Sequence, residues 1–222
     1  MARSVSIGLF PEGPTDARFF FSVLRRLVVD LCGRAQVDVP EEVIDLSEEE
    51  VRQTGARRED RILQATRRNA ASLSLVFVHA DGAGAPERMR VEQCEPGIAL
   101  IHQTFPERLR AIALVPIREM EAWALVDGDA IREVTGSRLG DAALGLPSRV
   151  ATVEAITDPK AKLQSVFALA CPRSSRRSQE RHGAYLGLLG EAVRLVRLRE
   201  LEAFQRLEQD TRLALEHLGV LR

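Results

Sequence analysis

Residues 4–31, SVSIGLFPEGPTDARFFFSVLRRLVVDL, decide how this chain is read. The apolar run from Val5 to Phe10 has the length of a buried strand and stops at Pro11. Glu12, Gly13 and Pro14 follow, and then Phe19, Val23, Leu27 and Leu31 recur at near-helical spacing. The stretch predicts a strand, a tight turn and a long helix from Thr15 to about Val37. Thr15 is the expected N-cap, with Asp16 in the first turn, where the helix dipole favours an acid. Two carboxylates, Glu12 and Asp16, thus stand at the mouth of a strand-to-helix turn.

The alternation continues outward. VDVPEEVIDLS (37–47) holds a short strand interrupted by Pro40, and ARREDRILQATRRNAA (56–71) reads as a charged helix. SLSLVFVHAD (72–81) is an apolar, β-branched run that ends at an acid. APERMRVEQCEPGIALIHQTF (85–105) is read as helical with a break at Pro96, and RAIALVPI (110–117) as another buried strand. Strands that alternate with helices imply parallel crossovers and an open, mainly parallel sheet with helices on both faces.

After Trp123 the pattern turns helical. VDGDAIREVTG (126–136) predicts a short helix capped by Asp127, while GDAALGLPS (140–148) reads as a loop. DPKAKLQSVFALA (158–170) predicts a helix that starts at Asp158, with Pro159 in the first helical position. The polar, arginine-rich CPRSSRRSQERHG (171–183) leads into one long amphipathic helix over about 184–218. The chain is expected to form a single domain over 1–222, with an α/β core over about 1–127 and a helical extension over about 128–222 packed on it.

At 222 residues the chain can bury a core without disulfide or metal staples. A formal net charge of −1 argues against a uniformly basic nucleic-acid binder but leaves room for a local basic groove. Cys32, Cys94 and Cys171 are scattered and form no CxxC pair, so the expectation is a reducing cytoplasm. No run approaches the ~20 apolar residues of a membrane span, and no signal-peptide pattern opens the chain. Walker A, GxGxxG and GxSxG patterns are missing from the sequence, which argues against ATP hydrolysis, dinucleotide binding and α/β-hydrolase chemistry.

Ligands of open parallel sheets sit beyond the carboxyl ends of the strands. Three predicted strands end in suggestive chemistry: Glu12 and Asp16 after the first, His79 and Asp81 at the end of HAD, and Glu119 and Glu121 in PIREMEAW. Carboxylates gathered from separate strands make an oxygen-rich site for a hard cation, Mg²⁺ or Mn²⁺. Such a site positions phosphates and activates water. Each residue also has a bland reading: Glu12 as a turn residue, Asp16 as a dipole partner, His79 as a hydrogen-bonded strand end. Met120 and Trp123 read as packing residues. Arg173, Arg176, Arg177 and Arg181, with Lys160 at a helix start, read either as grips on a nucleic-acid backbone or as a solvated surface.

EGPTD (12–16) resembles the E-G-x-T-D/E opening of OLD-type TOPRIM nucleases, and a later strand ends near the position of their D-x-D. The set EGPTDARFF, FVHADGAG, VPIREMEAWALVD, DPKAKL and LEAFQRLEQDTRLAL is similar to the bacterial, TOPRIM-like domain-of-unknown-function 4276 family. Several members of that family neighbour ATPases in loci read as phage defence. The resemblance implies a TOPRIM-like fold and a Mg²⁺- or Mn²⁺-dependent nuclease acting on DNA or RNA. Glu12 would then be a ligand or general base and Asp81 the principal ligand, with Asp16 and Glu119 or Glu121 completing the shell. The sequence departs from the pattern at His79, where a TOPRIM domain carries the first aspartate of D-x-D. Imidazole is a poorer Mg²⁺ ligand than carboxylate but suits Mn²⁺ or Zn²⁺. The alternative expectation is a non-catalytic partner of an ATPase, and a phosphotransfer or nucleotide-modifying activity also fits the spacing.

Overall fold

Buried β-branched and aromatic residues decide which runs pair. In the computed structural model, which describes residues 3–33, 37–47, 56–171 and 178–221, the strands are β1 (Arg3–Ser4), β2 (Ile7–Phe10), β3 (Val37–Asp38), β4 (Ile44–Asp45), β5 (Leu75–His79) and β6 (Arg110–Leu114). Four of them make an all-parallel sheet in the order β4-β2-β5-β6, and β1 pairs with β3 in a separate two-stranded ribbon. The expected strand over 5–10 is therefore the shorter β2, and β1, just before it, has a different partner. Pro40 separates β3 from β4 and cannot donate to a ladder, so the segment that flanks the first run cannot pair with it continuously.

The helices are α1 (Pro14–Cys32), α2 (Arg58–Asn69), α3 (Pro86–Met89), α4 (Glu95–Thr104), α5 (Glu121–Ala124), α6 (Gly128–Thr135), α7 (Asp141–Leu144), α8 (Pro159–Ala170), α9 (Ser178–Ala192), α10 (Leu195–Leu198) and α11 (Glu202–His217). A π-turn over Arg90–Cys94 joins α3 to α4 just before Pro96, so the predicted break is a local widening of one helical run. Side chains alternate across the sheet. Ile7, Leu9, Leu75, Phe77, Ile112 and Leu114 enter a core shared with α1 and with Phe204, Leu207 and Leu215 of α11. Phe10, Val76, Val78, Ala111 and Ala113 enter a second core with Ile62 of α2 and Ile101 of α4. Helices thus cover both faces, which is why the strands read as continuous apolar runs.

Several expected boundaries move. Helix α1 starts at Pro14 with Gly13 as N-cap, in place of Thr15, because proline is preset for the first helical position. It ends at Cys32, short of Val37, where Gly33 takes a left-handed φ of 46°. The predicted loop over 140–148 contains the single turn α7, closed by Gly145 at φ 69°. The long tail helix is three helices. Asp127 accepts a hydrogen bond from the Arg194 backbone N–H at 3.1 Å, and Glu154 accepts from Glu202 and Ala203 at 3.1 and 3.3 Å. Carboxylates distant in sequence cap each new start, which local periodicity cannot register. Helix α9 lies close on α1: a Cβ at Gly190 would stand 2.3 Å from the Phe19 carbonyl oxygen. No described helix is long and apolar enough to cross a membrane.

Candidate functional site at the carboxyl rim of the sheet

Chain order reverses between β2 and β5. From β2 the chain steps to β4 on one side and then returns to β5 on the other. Such a switch point opens a crevice at the carboxyl ends of the two strands. Glu12 leaves β2 and Asp81 leaves β5 at this crevice, and the Glu12 carboxylate accepts a hydrogen bond from the Asp81 backbone N–H at 2.7 Å. Asp16, in the first turn of α1, accepts from the Gly13 N–H at 2.9 Å and is nearly buried. His79 is fully buried between them. Its Nε2 lies 3.6 Å from a carboxylate oxygen of Asp16 and 3.6 Å from one of Asp81, and its Nδ1 is 3.0 Å from the Leu114 carbonyl oxygen. The Phe20 ring meets the imidazole edge-on at 4.8 Å.

Polar atoms are left over at this rim. His79 Nε2, Asp81 Oδ1 and Glu119 Oε2 are buried and have no hydrogen-bond partner among the described residues. Native interiors pair nearly all such groups, and among the described residues the other unpartnered buried side-chain atoms are nitrogens of Arg61, Trp123 and Arg197, so the unpaired carboxylate oxygens are those of Asp81 and Glu119. Protonation follows the same crowding. Burial pulls the His79 pKa down, but Asp16, Asp81 and the Leu114 carbonyl raise it above its ordinary value. Burial, with the charges of Asp16, Glu12 and Glu121, outweighs His79 and pushes Asp81 up to about 7. Imidazole and carboxylate therefore titrate as one interacting pair, each held above its ordinary value. Glu121 is also raised, by burial and by Asp16 and Glu119, against its own backbone N–H and Lys160.

Two loops hold this arrangement. The β5–α3 loop lies directly on the β6–α5 loop: Ala83 N–H donates to the Arg118 carbonyl at 3.1 Å and Gly84 N–H to the Ile117 carbonyl at 2.8 Å. A Cβ at Gly82 would stand 2.0 Å from the Pro116 carbonyl oxygen, so only glycine permits this approach. That contact brings Asp81 and Glu119 to one rim. Arg58 is a further part of the scaffold, unmarked by sequence reasoning. From the first turn of α2 its guanidinium donates to the His79 carbonyl at 2.6 Å, and it stacks 5.4 Å over Phe10. Its burial is the cause of a lowered pKa, opposed by Cys94 and Glu12. Only the charge pattern of ARREDRIL hinted at it, and that pattern equally describes a solvated helix face.

The remaining predicted residues take varied places. Strand β6 ends at Leu114, so Glu119 lies in the following turn and Glu121 opens α5; they are not strand neighbours sharing a face. Met120 and Trp123 are wholly buried packing residues, as expected. Asp127 caps α6 and is held by Arg194, with N···O distances of 2.7 Å to each carboxylate oxygen, so its chemistry is structural. Asp158 caps α8 by accepting from Ala161 N–H at 2.8 Å, and Lys160 stands beyond it, facing a cavity shared with Glu121. Arg173, Arg176 and Arg177 lie outside the described residues.

Among the described residues no three histidine, cysteine, aspartate or glutamate side chains are arranged to hold a metal ion. The donors have the right chemistry, but Glu12 is bound to the Asp81 amide and the imidazole fills the space between Asp16 and Asp81. No family model, curated protein or solved structure matches the chain.

Proposed function

We propose that the carboxyl rim is the active edge of a TOPRIM-like domain that carries out Mg²⁺- or Mn²⁺-dependent chemistry on nucleic-acid phosphodiesters, as a nuclease in a bacterial defence or DNA-processing system. In this reading residues 1–127 are the core and 128–222 its helical extension. The observation that carries the proposal is the meeting of Glu12, Asp16 and Asp81 at the switch point, with Glu121 close enough to disfavour charge on Asp81 and an orphaned oxygen on Asp81. Crowded carboxylates that destabilise one another's charge favour a cation. A bound divalent ion would neutralise phosphate oxygens and lower the pKa of water. The imidazole of His79, set between Asp16 and Asp81, would favour Mn²⁺ over Mg²⁺ at such a site. The test is cleavage of DNA and RNA by the purified chain with each metal, together with calorimetric metal titration. Cleavage that needs Mn²⁺ and is lost in Glu12→Gln and Asp81→Asn is expected; no cleavage and no metal uptake would overturn the reading.

A second reading draws on the lack of a preformed ligand triad and on the imidazole in the D-x-D position. Here the domain is a non-catalytic partner of an ATPase, and the acid rim is a structural relic or a docking edge. Unchanged function in Glu12→Ala, with no divalent binding, is its signature.

A further inference from the structure

A cavity of about 210 Å³ lies beside the acid rim, between α1, α5, α8 and α9. Its floor is apolar, made by the buried side chains of Leu163, Phe167 and Leu186. Its wall is polar: Thr15 stands next to Asp16, and Glu121 belongs to the acid cluster itself. Gln164 and Lys160 are exposed at the mouth and form no hydrogen bond or ion pair among the described residues.

We infer that this cavity receives a single nucleobase of the strand whose phosphodiester lies at the rim. The inference rests on the phosphodiester reading above and names its substrate class: single-stranded or unstacked nucleic acid. Size comes first. Pockets for drug-sized ligands begin near about 300 Å³, so this one takes one ring system and leaves sugar and phosphate outside. Chemistry agrees, because extruded bases are held between apolar side chains with polar groups on their edges. The Gln164 amide supplies both a donor and an acceptor for such an edge. Lys160 at the mouth attracts the adjoining phosphate as a point charge. A base stacked inside a duplex cannot enter, so duplex is excluded unless the nucleotide is flipped out.

The test uses the full chain without metal and the free ribo- and deoxyribonucleosides, which carry no phosphate, read by ligand-detected NMR. At least one nucleoside is expected to bind at millimolar concentration. Gln164→Trp, placed at an exposed helical position, sets an indole across the mouth and should weaken that binding about tenfold or more with an unchanged circular dichroism spectrum. As a check that needs no variant, removing one base from a short single-stranded oligonucleotide should weaken its binding to the wild-type chain by about tenfold, the scale of one lost base–aromatic stack. Absence of nucleoside binding, or binding that Gln164→Trp leaves untouched, overturns the inference. The two readings fail separately: nucleoside binding without cleavage sinks the nuclease and keeps the cavity, while cleavage without nucleoside binding does the reverse.

Discussion

Asp127 and Asp81 are the same side chain in opposite circumstances. Asp127 is buried, yet both of its oxygens are engaged by Arg194 and by the N–H groups of Asp129 and Ala130. Burial alone would push its pKa up, but Arg194 holds it below the ordinary carboxylate range. Asp81 has one orphaned oxygen, carboxylates for neighbours and a pKa pushed up to about 7. One acid is satisfied and ties the start of α6 to the break before α10. The other is left unsatisfied at a strand end, the kind of perturbed group that marks a candidate site.

The contrast can be broken most directly by removing each acid. In Asp81→Asn and Glu12→Gln, metal-dependent cleavage should fall by about 100-fold or more, the scale of a lost general base or charge stabiliser, while melting temperature holds or rises. Next in size is His79→Asp, which creates a D-x-D sequence but buries another charge among like charges. Without metal it should cost about 3 kcal/mol in urea denaturation, and added Mg²⁺ or Mn²⁺ should recover the loss; failure to recover argues against a cation site. Asp127→Ala should cost about 2 kcal/mol through the lost helix cap and hydrogen bonds, with no change in any metal binding.

The smallest effect is the pH slope of stability, and its sign differs between the two acids. Folding raises the pKa of both His79 and Asp81, so the native cluster binds more protons than the unfolded chain. Stability from this source is present at acid pH and declines as pH rises through about 7. Asp127 is depressed, so its contribution stands above the unfolded carboxylate pKa of about 4 and is lost as pH falls below that. Thermal melts from pH 5 to 8 should show the decline, and Asp81→Asn should flatten it.

Much of the site was legible from residue type and position. Glu12, Asp16, Asp81 and Glu119 follow buried runs, and a parallel sheet sends such run-ends to one rim. Arg58 was not legible, because a helix-start arginine reads alike whether it reaches a strand carbonyl or solvent. The role of His79 was only half legible: its strand-end position is local, whereas the two carboxylates on either side of it come from different segments. Trp123 and Met120 read as core from their own large apolar side chains, and they are core.

By itself, then, the sequence determined the strand–helix alternation of the first half, the two-sided burial of the sheet and the rim to which Glu12 and Asp81 go, because side-chain periodicity and chain-end chemistry are local properties. Tertiary structure alone decided the rest. Loop packing at Gly82 joined Asp81 to Glu119, and remote carboxylates at Asp127 and Glu154 cut the tail into separate helices. Solvation, too, was settled only by folding: it left Asp127 paired and Asp81 wanting a partner, since desolvation and charge contact depend on neighbours that lie far away along the chain.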